Sequence, residues 1–135
     1  IHSSRIRSKN MAAIKSKNTK PEIIVRSHLY SLGFRYRIHN KSLPGKPDIS
    51  NKKKKIAIFI NGCFWHSHKD CKYAVIPKTR TEWWKKKLDD NKKRDQRNLK
   101  KLKSMKWNIL VLWECEIKNK KFEKKILEFI SNHSI

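Results

Sequence analysis

The sequence predicts an α/β fold in which helices cover both faces of a mixed sheet, and three observations support this prediction. Residues 56–60 and 107–113 are almost continuously apolar, as buried strands are. Residues 81–105 and 122–130 carry apolar side chains at helical spacing, and another helix precedes the first strand. The resulting order is helix, two or three strands, a loop, helix, strand and helix, which is typical of a sheet between two helical layers.

The first helix begins at a capping-box sequence and ends at a glycine. Thr19 is the cap, Pro21 stands in the first turn, and Glu22 occupies the position that completes the box. Gly33 follows the last apolar residue and stops the helix. The apolar residues in between are Ile23, Ile24, Leu29 and Leu32.

The strands differ in their hydrophobic pattern. Residues 34–38 alternate with period two, and residues 43–47 contain the Pro and Gly of a turn. Residues 56–60 are apolar without interruption, so we expect this strand to be buried on both faces. Residues 107–113 predict a second buried strand, which ends at residues 114–115.

The long helix at 81–105 has a polar gap in its apolar stripe. Where helical spacing asks for apolar side chains, Asn91 and Asp95 stand, flanked by Lys87 and Arg94. The gap is either a solvated end of the core or a helix face turned into a functional site, and the sequence leaves both open. The apolar members of the stripe are Trp84, Leu88, Leu99 and Leu102.

The charge of the chain predicts a polyanionic partner. The sequence contains 35 Lys and Arg against 11 Asp and Glu, a formal net charge of +24 on 135 residues, which exceeds what solubility requires. The alternative is a host that favours lysine on solvated surfaces. Residues 1–18 are basic with few apolar positions, so they predict an arm or a short helix laid on a partner rather than part of the core.

Length and hydropathy predict a single domain spanning 1–135 in a monomeric protein. No apolar stretch approaches the roughly 20 residues of a membrane span, and no hydrophobic signal sequence follows Met11. We therefore expect a soluble, cytoplasmic protein. The three cysteines are an odd number, and Cys63 and Cys71 lie near a histidine, so metal ligation explains them better than a disulfide framework.

Asp48 follows Pro47 and precedes a hydrophobic strand. A Pro-Asp pair in this position is half of the core pattern of a large nuclease class, whose other half is an acid-x-Lys element. The dipeptide alone is also compatible with an ordinary turn aspartate.

Five ordered motifs together closely resemble the very-short-patch repair endonucleases. They stand at residues 7–11, 42–48, 62–66, 79–84 and 113–115. The resemblance covers nearly the whole chain. It implies a PD-(D/E)xK-type, restriction endonuclease-like fold with a structural zinc loop, although the acid-x-Lys half is absent here. It also implies a bacterial DNA nickase that cuts beside the thymine of a T:G mismatch left by deamination of 5-methylcytosine.

The resemblance also implies roles for individual residues. Asp48 would bind a catalytic Mg2+, with the backbone carbonyl of Ile60 as a second ligand, and His66 would accept a proton from the attacking water. Glu22 would support this active site, unless it serves the capping box. The chain departs from the family at Asn61, where a second catalytic histidine is expected, and asparagine cannot transfer a proton near neutral pH.

The resemblance further implies a structural Zn2+ with four protein ligands and no open position. The ligands would be Cys63, His68, Cys71 and Cys115. The alternative is three buried free cysteines.

The remaining matches concern DNA. Met11, Phe64 and Trp65 would form an apolar wedge in the base stack beside the mismatch, whereas without the resemblance two aromatics here are more often local core. Lys87 and Asn91 would contact the mismatch. The expected partner is double-stranded DNA with a T:G mismatch, with accessory mismatch-repair proteins also implied. Two other functions stay open, a methyltransferase-associated restriction or nicking endonuclease of other specificity and a non-catalytic zinc-containing DNA-binding protein.

Overall fold

A four-stranded mixed sheet forms the centre of the molecule, in a computed structural model that describes residues 19–133. The strand order is β1-β2-β3-β4, with β1, β2 and β3 antiparallel and β4 parallel to β3. The strands are β1 (Arg37–Ile38), β2 (Ile49–Asn51), β3 (Ile56–Asn61) and β4 (Asn108–Trp113). The mixed sheet predicted from the sequence is therefore confirmed.

Within residues 19–133, four α-helices accompany the sheet, and one 3-10 turn spans Lys72–Ala74. They are α1 (Lys20–Ser31), α2 (Thr81–Ser104), α3 (Glu114–Lys118) and α4 (Phe122–Asn132). The three long helices agree with the predicted ones. Helix α3 was not predicted, because its five residues follow the apolar run of β4 without a turn signal.

The two faces of the sheet carry separate cores, as the alternation of strand side chains requires. On one face, Ile56 and Ile58 of β3 pack with residues of α1, α3 and α4 in a cluster of ten buried side chains. On the other face, Ala57 packs with Leu43, Leu102 and Trp107, so that α2 covers this side. Helices thus flank both faces of the sheet, as expected.

Two strand predictions need correction. The strand predicted at 34–38 is limited to Arg37–Ile38, because Phe34 turns into the core before strand pairing begins and both paired residues are exposed. The second apolar strand is less buried than expected: among the described strands β4 lies at the edge of the sheet, and of its residues only Leu112 is fully buried.

Other features fall outside the fold or outside the described residues. The predicted arm at 1–18, including Met11, lies outside the range that the structure describes. Between residues 19 and 133, no helix combines the length and the apolar character needed to cross a lipid bilayer.

Candidate active site and metal centre

A cavity of about 460 Å³ opens where the end of β3 meets the turn before β2 and the middle of α2. Because β2 and β3 are antiparallel and Ile49 pairs with Ile58, the residue before β2 must lie beside the last residues of β3. The topology therefore brings Asp48 to this end of the sheet. The polar side chains on the wall are His39, Asp48, Asn61, His66, Asp95 and Asn98, with Lys41 and Lys46 at the same cavity.

Asp48 is tied to the end of β3 and carries an altered pKa. Its Oδ2 accepts a hydrogen bond of 2.7 Å from the backbone N–H of Ile60. Burial raises the pKa of Asp48 to about 7, and the nearby Glu22 carboxylate adds to the rise, while the Ile60 N–H and His66 partly oppose it. Because burial is the main cause, the ionised carboxylate is poorly solvated, and a cation beside it would stabilise it.

Glu22 points from α1 into the same region. The hydroxyl of Thr19 accepts a 3.4 Å hydrogen bond from the Glu22 backbone N–H, so the cap prediction holds for Thr19. The Glu22 side chain is 2% exposed. Its Oε2 lies 2.7 Å from His39 Nε2 and 3.0 Å from an Arg26 guanidinium nitrogen. The carboxylate is therefore positioned at the active-site end of α1.

Glu22, His39 and Asp48 form what we call the acid cluster. Each offers one ligand atom, and these atoms all lie within 4.8 Å of one another. Carboxylate oxygens and an imidazole nitrogen are a donor set that divalent cations accept.

The polar gap of α2 faces the cavity. Asp95 Oδ2 lies 2.5 Å from His66 Nδ1, and both side chains are about a quarter exposed. One turn earlier on the helix, Asn91 Nδ2 donates to the backbone carbonyl of Trp65 at 3.4 Å. Of the two interpretations of the gap, the structure thus favours a helix face turned toward a site over a solvated end of the core.

The imidazole of His66 is oriented by this contact. With Nδ1 held by a carboxylate, Nε2 is the nitrogen left for a substrate or water. Asn61, at the end of β3, lines the same cavity as His66 and offers amide groups but no imidazole there.

A second group of potential ligands lies behind the His66 loop. Cys63, His68, Cys71 and Cys115 place one ligand atom each within 4.8 Å of the others, and we call them the thiol cluster. The Cys115 N–H donates to Cys63 Sγ at 3.4 Å, and Cys115 Sγ lies 3.5 Å from His68 Nδ1. The sheet explains the long-range contact: parallel β3 and β4 end side by side, with Asn61 opposite Trp113, so the chain delivers Cys63 and Cys115 to one place.

The chemistry of the thiol cluster fits a soft or borderline metal ion. Burial raises the pKa of Cys63 to about 12, so without a metal this thiol stays protonated at neutral pH. The His68 ring stacks on the Trp113 indole with centroids 4.0 Å apart and planes 7° from parallel. A Cys3His set of this kind is typical of structural zinc, which holds its thiolates deprotonated.

Aromatic side chains cluster beside the cavity. Phe64, Trp65 and Trp84 contact one another with centroids 5.1–5.8 Å apart, and Trp83 meets Trp84 edge to face at 4.8 Å. Trp65 keeps 39% of its surface exposed. Lys87 is exposed one turn further along α2. Phe64 and Trp65 are thus neither core nor isolated surface residues, and they form an aromatic ridge with Trp84.

Sequence reasoning missed two members of the site. Asp95 was noticed only as part of a polar gap, and its spacing of four residues from Asn91 was the signal that both face one partner. His39 carried no signal, because a single histidine after a strand is common. Its role depends on the contact with Glu22, seventeen residues away.

Comparisons with known proteins identify relatives of this chain. The family model described as DNA mismatch endonuclease Vsr matches residues 1–73. The chain is 44% identical to the type II nicking enzyme V.XorIIP of Xanthomonas oryzae pv. oryzae, over 79% of this chain and 78% of the relative. It is 38% identical to the DNA mismatch endonuclease Vsr of Escherichia coli, over 89% of this chain and 76% of the relative.

One solved structure supports the fold. The catalytic domain of the homing endonuclease I-Bth0305I superposes with a TM-score of 0.58 at 21% identity, covering 86% of this chain and 98% of that domain. At this identity the likeness concerns the architecture alone.

Proposed function

The chain belongs to the Vsr family of DNA mismatch endonucleases and is a DNA endonuclease, a hydrolase, and from that premise we propose that it nicks one strand 5′ to the thymine of a T:G mismatch. Such mismatches arise when 5-methylcytosine is deaminated, so the nick would begin very-short-patch repair. Membership of an endonuclease family argues against the alternative of a non-catalytic zinc-containing DNA-binding protein.

One observation carries the proposal: a half-buried carboxylate and a histidine held by a second carboxylate face the same cavity. Asp48 and His66 both line it, and Asp95 holds His66 Nδ1 at 2.5 Å. A protein that only bound DNA would gain nothing from turning these groups inward, since burying charged groups costs free energy. Hydrolysis of a phosphodiester uses both a site for a cation and a base for water.

In the proposed reaction, His66 Nε2 takes a proton from water while the water oxygen attacks phosphorus. Asp95 stabilises the imidazolium that results. The bond from phosphorus to the leaving sugar oxygen breaks, and Asn61 donates a hydrogen bond to the phosphate or to that oxygen. Because an amide cannot supply a proton, a second water protonates the leaving oxygen, and the hydroxide that remains takes the proton from the His66 imidazolium, which restores the neutral base.

Asp48 and the backbone carbonyl of Ile60 would hold Mg2+, with Glu22 supporting Asp48 from α1. Carboxylate and carbonyl oxygens fit a hard cation, and Asp48 and Ile60 already lie together at the end of β3. When bound, Mg2+ supplies electrostatic stabilisation of the phosphate and of the attacking water.

The thiol cluster would hold one structural Zn2+. Its four ligands leave no position for substrate. Cys63 and His68 flank His66 in the sequence, so the cluster would fix the loop that carries the base. The backbone supports this, since His66 N–H donates to Gly62 O at 3.2 Å and His68 N–H to Cys63 O at 2.9 Å.

The aromatic ridge would meet the mismatch. Phe64 and Trp65, together with Met11 from the arm, would enter the base stack, and unstacking is least costly at a mispaired base. Lys87 and Asn91 would contact the mismatch, while the remaining lysines hold phosphates, so binding should weaken steeply with salt. We take the active species to be a monomer, and the expectation of accessory repair proteins stays a prediction.

The test is strand cleavage on a denaturing gel. The substrate is a duplex with one T:G mismatch in a cytosine-methylation context, with Mg2+, beside the matched T:A duplex. We expect one nick 5′ to the mispaired thymine, none in the T:A duplex and none with Asp48→Ala. The control is Asp90→Ala, an exposed aspartate on α2 whose removal should leave cleavage unchanged.

A second specificity has support from the relatives. Those at 44% and 46% identity are named type II nicking enzymes, so the chain would then nick in another sequence context. Tight binding without cleavage of the first duplex, followed by cleavage within a panel of flanking sequences, would identify this alternative. Equal nicking of T:G and T:A duplexes would reject mismatch repair.

A further inference from the structure

His39 is placed at the active site by two separate contacts but has no part in the reaction proposed above. Its backbone N–H donates to the carbonyl of Asp48 at 3.1 Å, and its Nε2 lies 2.7 Å from Glu22 Oε2. The backbone at His39 is left-handed, with φ of +50°, a conformation that non-glycine residues seldom adopt. The loop after β1 thus turns sharply at the residue that presents its imidazole to two carboxylates.

The geometry of the acid cluster is close to that of a metal site. Its three candidate ligand atoms lie within 4.8 Å of one another. Ligand atoms bonded to one small divalent ion at about 2.1 Å are separated by at most about 4.2 Å. The cluster would therefore need to contract by only a fraction of an ångström to surround an ion.

The charges around the cluster point the same way. Arg26 lies 3.0 Å from Glu22 and offsets one of the two carboxylates. Asp48 accepts its 2.7 Å hydrogen bond from a neutral donor, the backbone N–H of Ile60. A dication between Asp48 and His39 would bring positive charge to this second carboxylate.

We propose that His39 is a ligand of the catalytic divalent ion, which makes the centre a nitrogen–oxygen site that binds Mn2+ more tightly than Mg2+. The inference rests on the proposed function, because it concerns the same ion, and it adds an imidazole to the Asp48 and Ile60 ligands. The ion bonds to the lone pair of His39 Nε2 in place of the contact with Glu22 Oε2, and a hydrogen carried on Nε2 moves to Nδ1 through solvent. A nitrogen donor shifts preference toward transition metals, since Mg2+ prefers oxygen ligands.

The competing explanation is that His39 only orients Glu22 through their hydrogen bond. Both explanations predict slower cleavage when His39 is replaced, so activity cannot separate them. Spectroscopic detection of a nitrogen atom bonded to the metal ion does separate the two explanations.

The experiment is pulsed electron paramagnetic resonance of Mn2+ bound to the zinc-loaded, DNA-free full chain. Imidazole ligation gives a ¹⁴N modulation that changes to the ¹⁵N pattern when histidine is isotopically labelled. We expect this signal in the wild type and its loss in His39→Gln, with Mn2+ affinity reduced about tenfold or more and Mg2+ affinity changed less than about threefold. His133→Gln, on an exposed histidine at the end of α4, is the matched control and should keep the signal.

Two outcomes would overturn the proposal: no nitrogen modulation in the wild type, or modulation that survives in His39→Gln. If His39→Gln loses its zinc and its fold, His66→Gln decides the question. Retention of the signal there supports His39, and its loss assigns the nitrogen to His66 and rejects the proposal. Strand cleavage is scored separately, so a protein that fails to nick T:G duplexes can still show or lack the His39 signal.

Discussion

The thiol cluster and the acid cluster lie at the same end of the sheet and differ in donor chemistry and in the number of protein ligands that they offer. The thiol cluster has three sulfur atoms and one imidazole. The acid cluster has two carboxylates and one imidazole, and two of its residues line an open cavity. Four protein ligands with soft donors suit an ion that stabilises a loop, whereas fewer protein ligands with hard donors suit an ion that shares substrate.

His66 connects the two clusters. It lies in the loop between Cys63 and His68, yet its imidazole is held by Asp95 across the cavity. The comparison therefore suggests a division of labour in which one cluster positions the base and the other binds the ion and phosphate. The following predictions test that division, from the largest expected effect to the smallest.

Removing the thiol cluster should have the largest effect. Cys63→Ser removes a buried ligand, so we expect loss of the bound zinc. Because the His66 loop has little core of its own, the unfolding temperature should then fall by about 10 °C or more, and cleavage should fall at least about a hundredfold. Metal analysis, calorimetry and a nicking assay measure the zinc content, the unfolding temperature and the cleavage rate. Lys69→Ala, an exposed residue of the same loop, is the control. Zinc-free protein with unchanged stability would show that the loop does not depend on this cluster.

Asp95→Asn should lower cleavage without removing either ion. The amide cannot stabilise an imidazolium as a carboxylate does, so we expect kcat to fall roughly 10–100-fold with little change in KM for DNA. Single-turnover nicking and metal analysis measure this. Asp90→Asn, on the same helix but 62% exposed in its side chain, should behave as wild type. An equal loss in both variants would mean that helix charge, rather than contact with His66, matters.

Asn61→His should increase cleavage modestly. An imidazole at the end of β3 would lie on the cavity wall and could supply a proton to the leaving oxygen. We expect a severalfold faster single-turnover rate, largest below about pH 7, where imidazole is more often protonated. An unchanged rate across the pH range would show that protonation of the leaving oxygen is not limiting.

Asp48→Asn should stabilise the metal-free protein at high pH. The pKa of Asp48 is raised to about 7 in the folded protein by burial first and by Glu22 next, from 3.8 for an ordinary aspartate. The folded state therefore binds more protons than the unfolded state between these values, and stability falls as pH rises through this window. Above pH 7, Asp48→Asn should raise the free energy of unfolding by about 1–3 kcal/mol, and below about pH 4 the difference should vanish.

Urea denaturation at several pH values in the presence of a chelator for Mg2+ measures this difference. Because the asparagine oxygen can still accept the Ile60 N–H, the comparison isolates the charge. Destabilisation of Asp48→Asn at high pH would mean that a cationic neighbour already compensates Asp48. The acid cluster would then not need an added ion.

The elements and the chemistry of the site were largely predictable from the sequence, because they depend on local order. Apolar periodicity predicted the three long helices and the two apolar strands, since secondary structure follows from which faces must be buried. Cys63 and Cys71 near a histidine favoured metal ligation, whereas the Pro47-Asp48 pair alone left an ordinary turn aspartate open. The family resemblance added His68 and Cys115 as ligands and the roles of Asp48 and His66.

Tertiary structure alone decided which distant residues meet. The parallel pairing of β3 with β4 brings Cys115 to Cys63, and the antiparallel pairing of β2 with β3 brings Asp48 to Ile60. The contacts of His66 with Asp95 and of His39 with Glu22 join residues 29 and 17 positions apart. Hydrophobic periodicity indicates only which face of an element is buried, whereas strand pairing and helix placement determine what that face contacts. For this reason His39 could be recognised as a candidate metal ligand only in the folded chain.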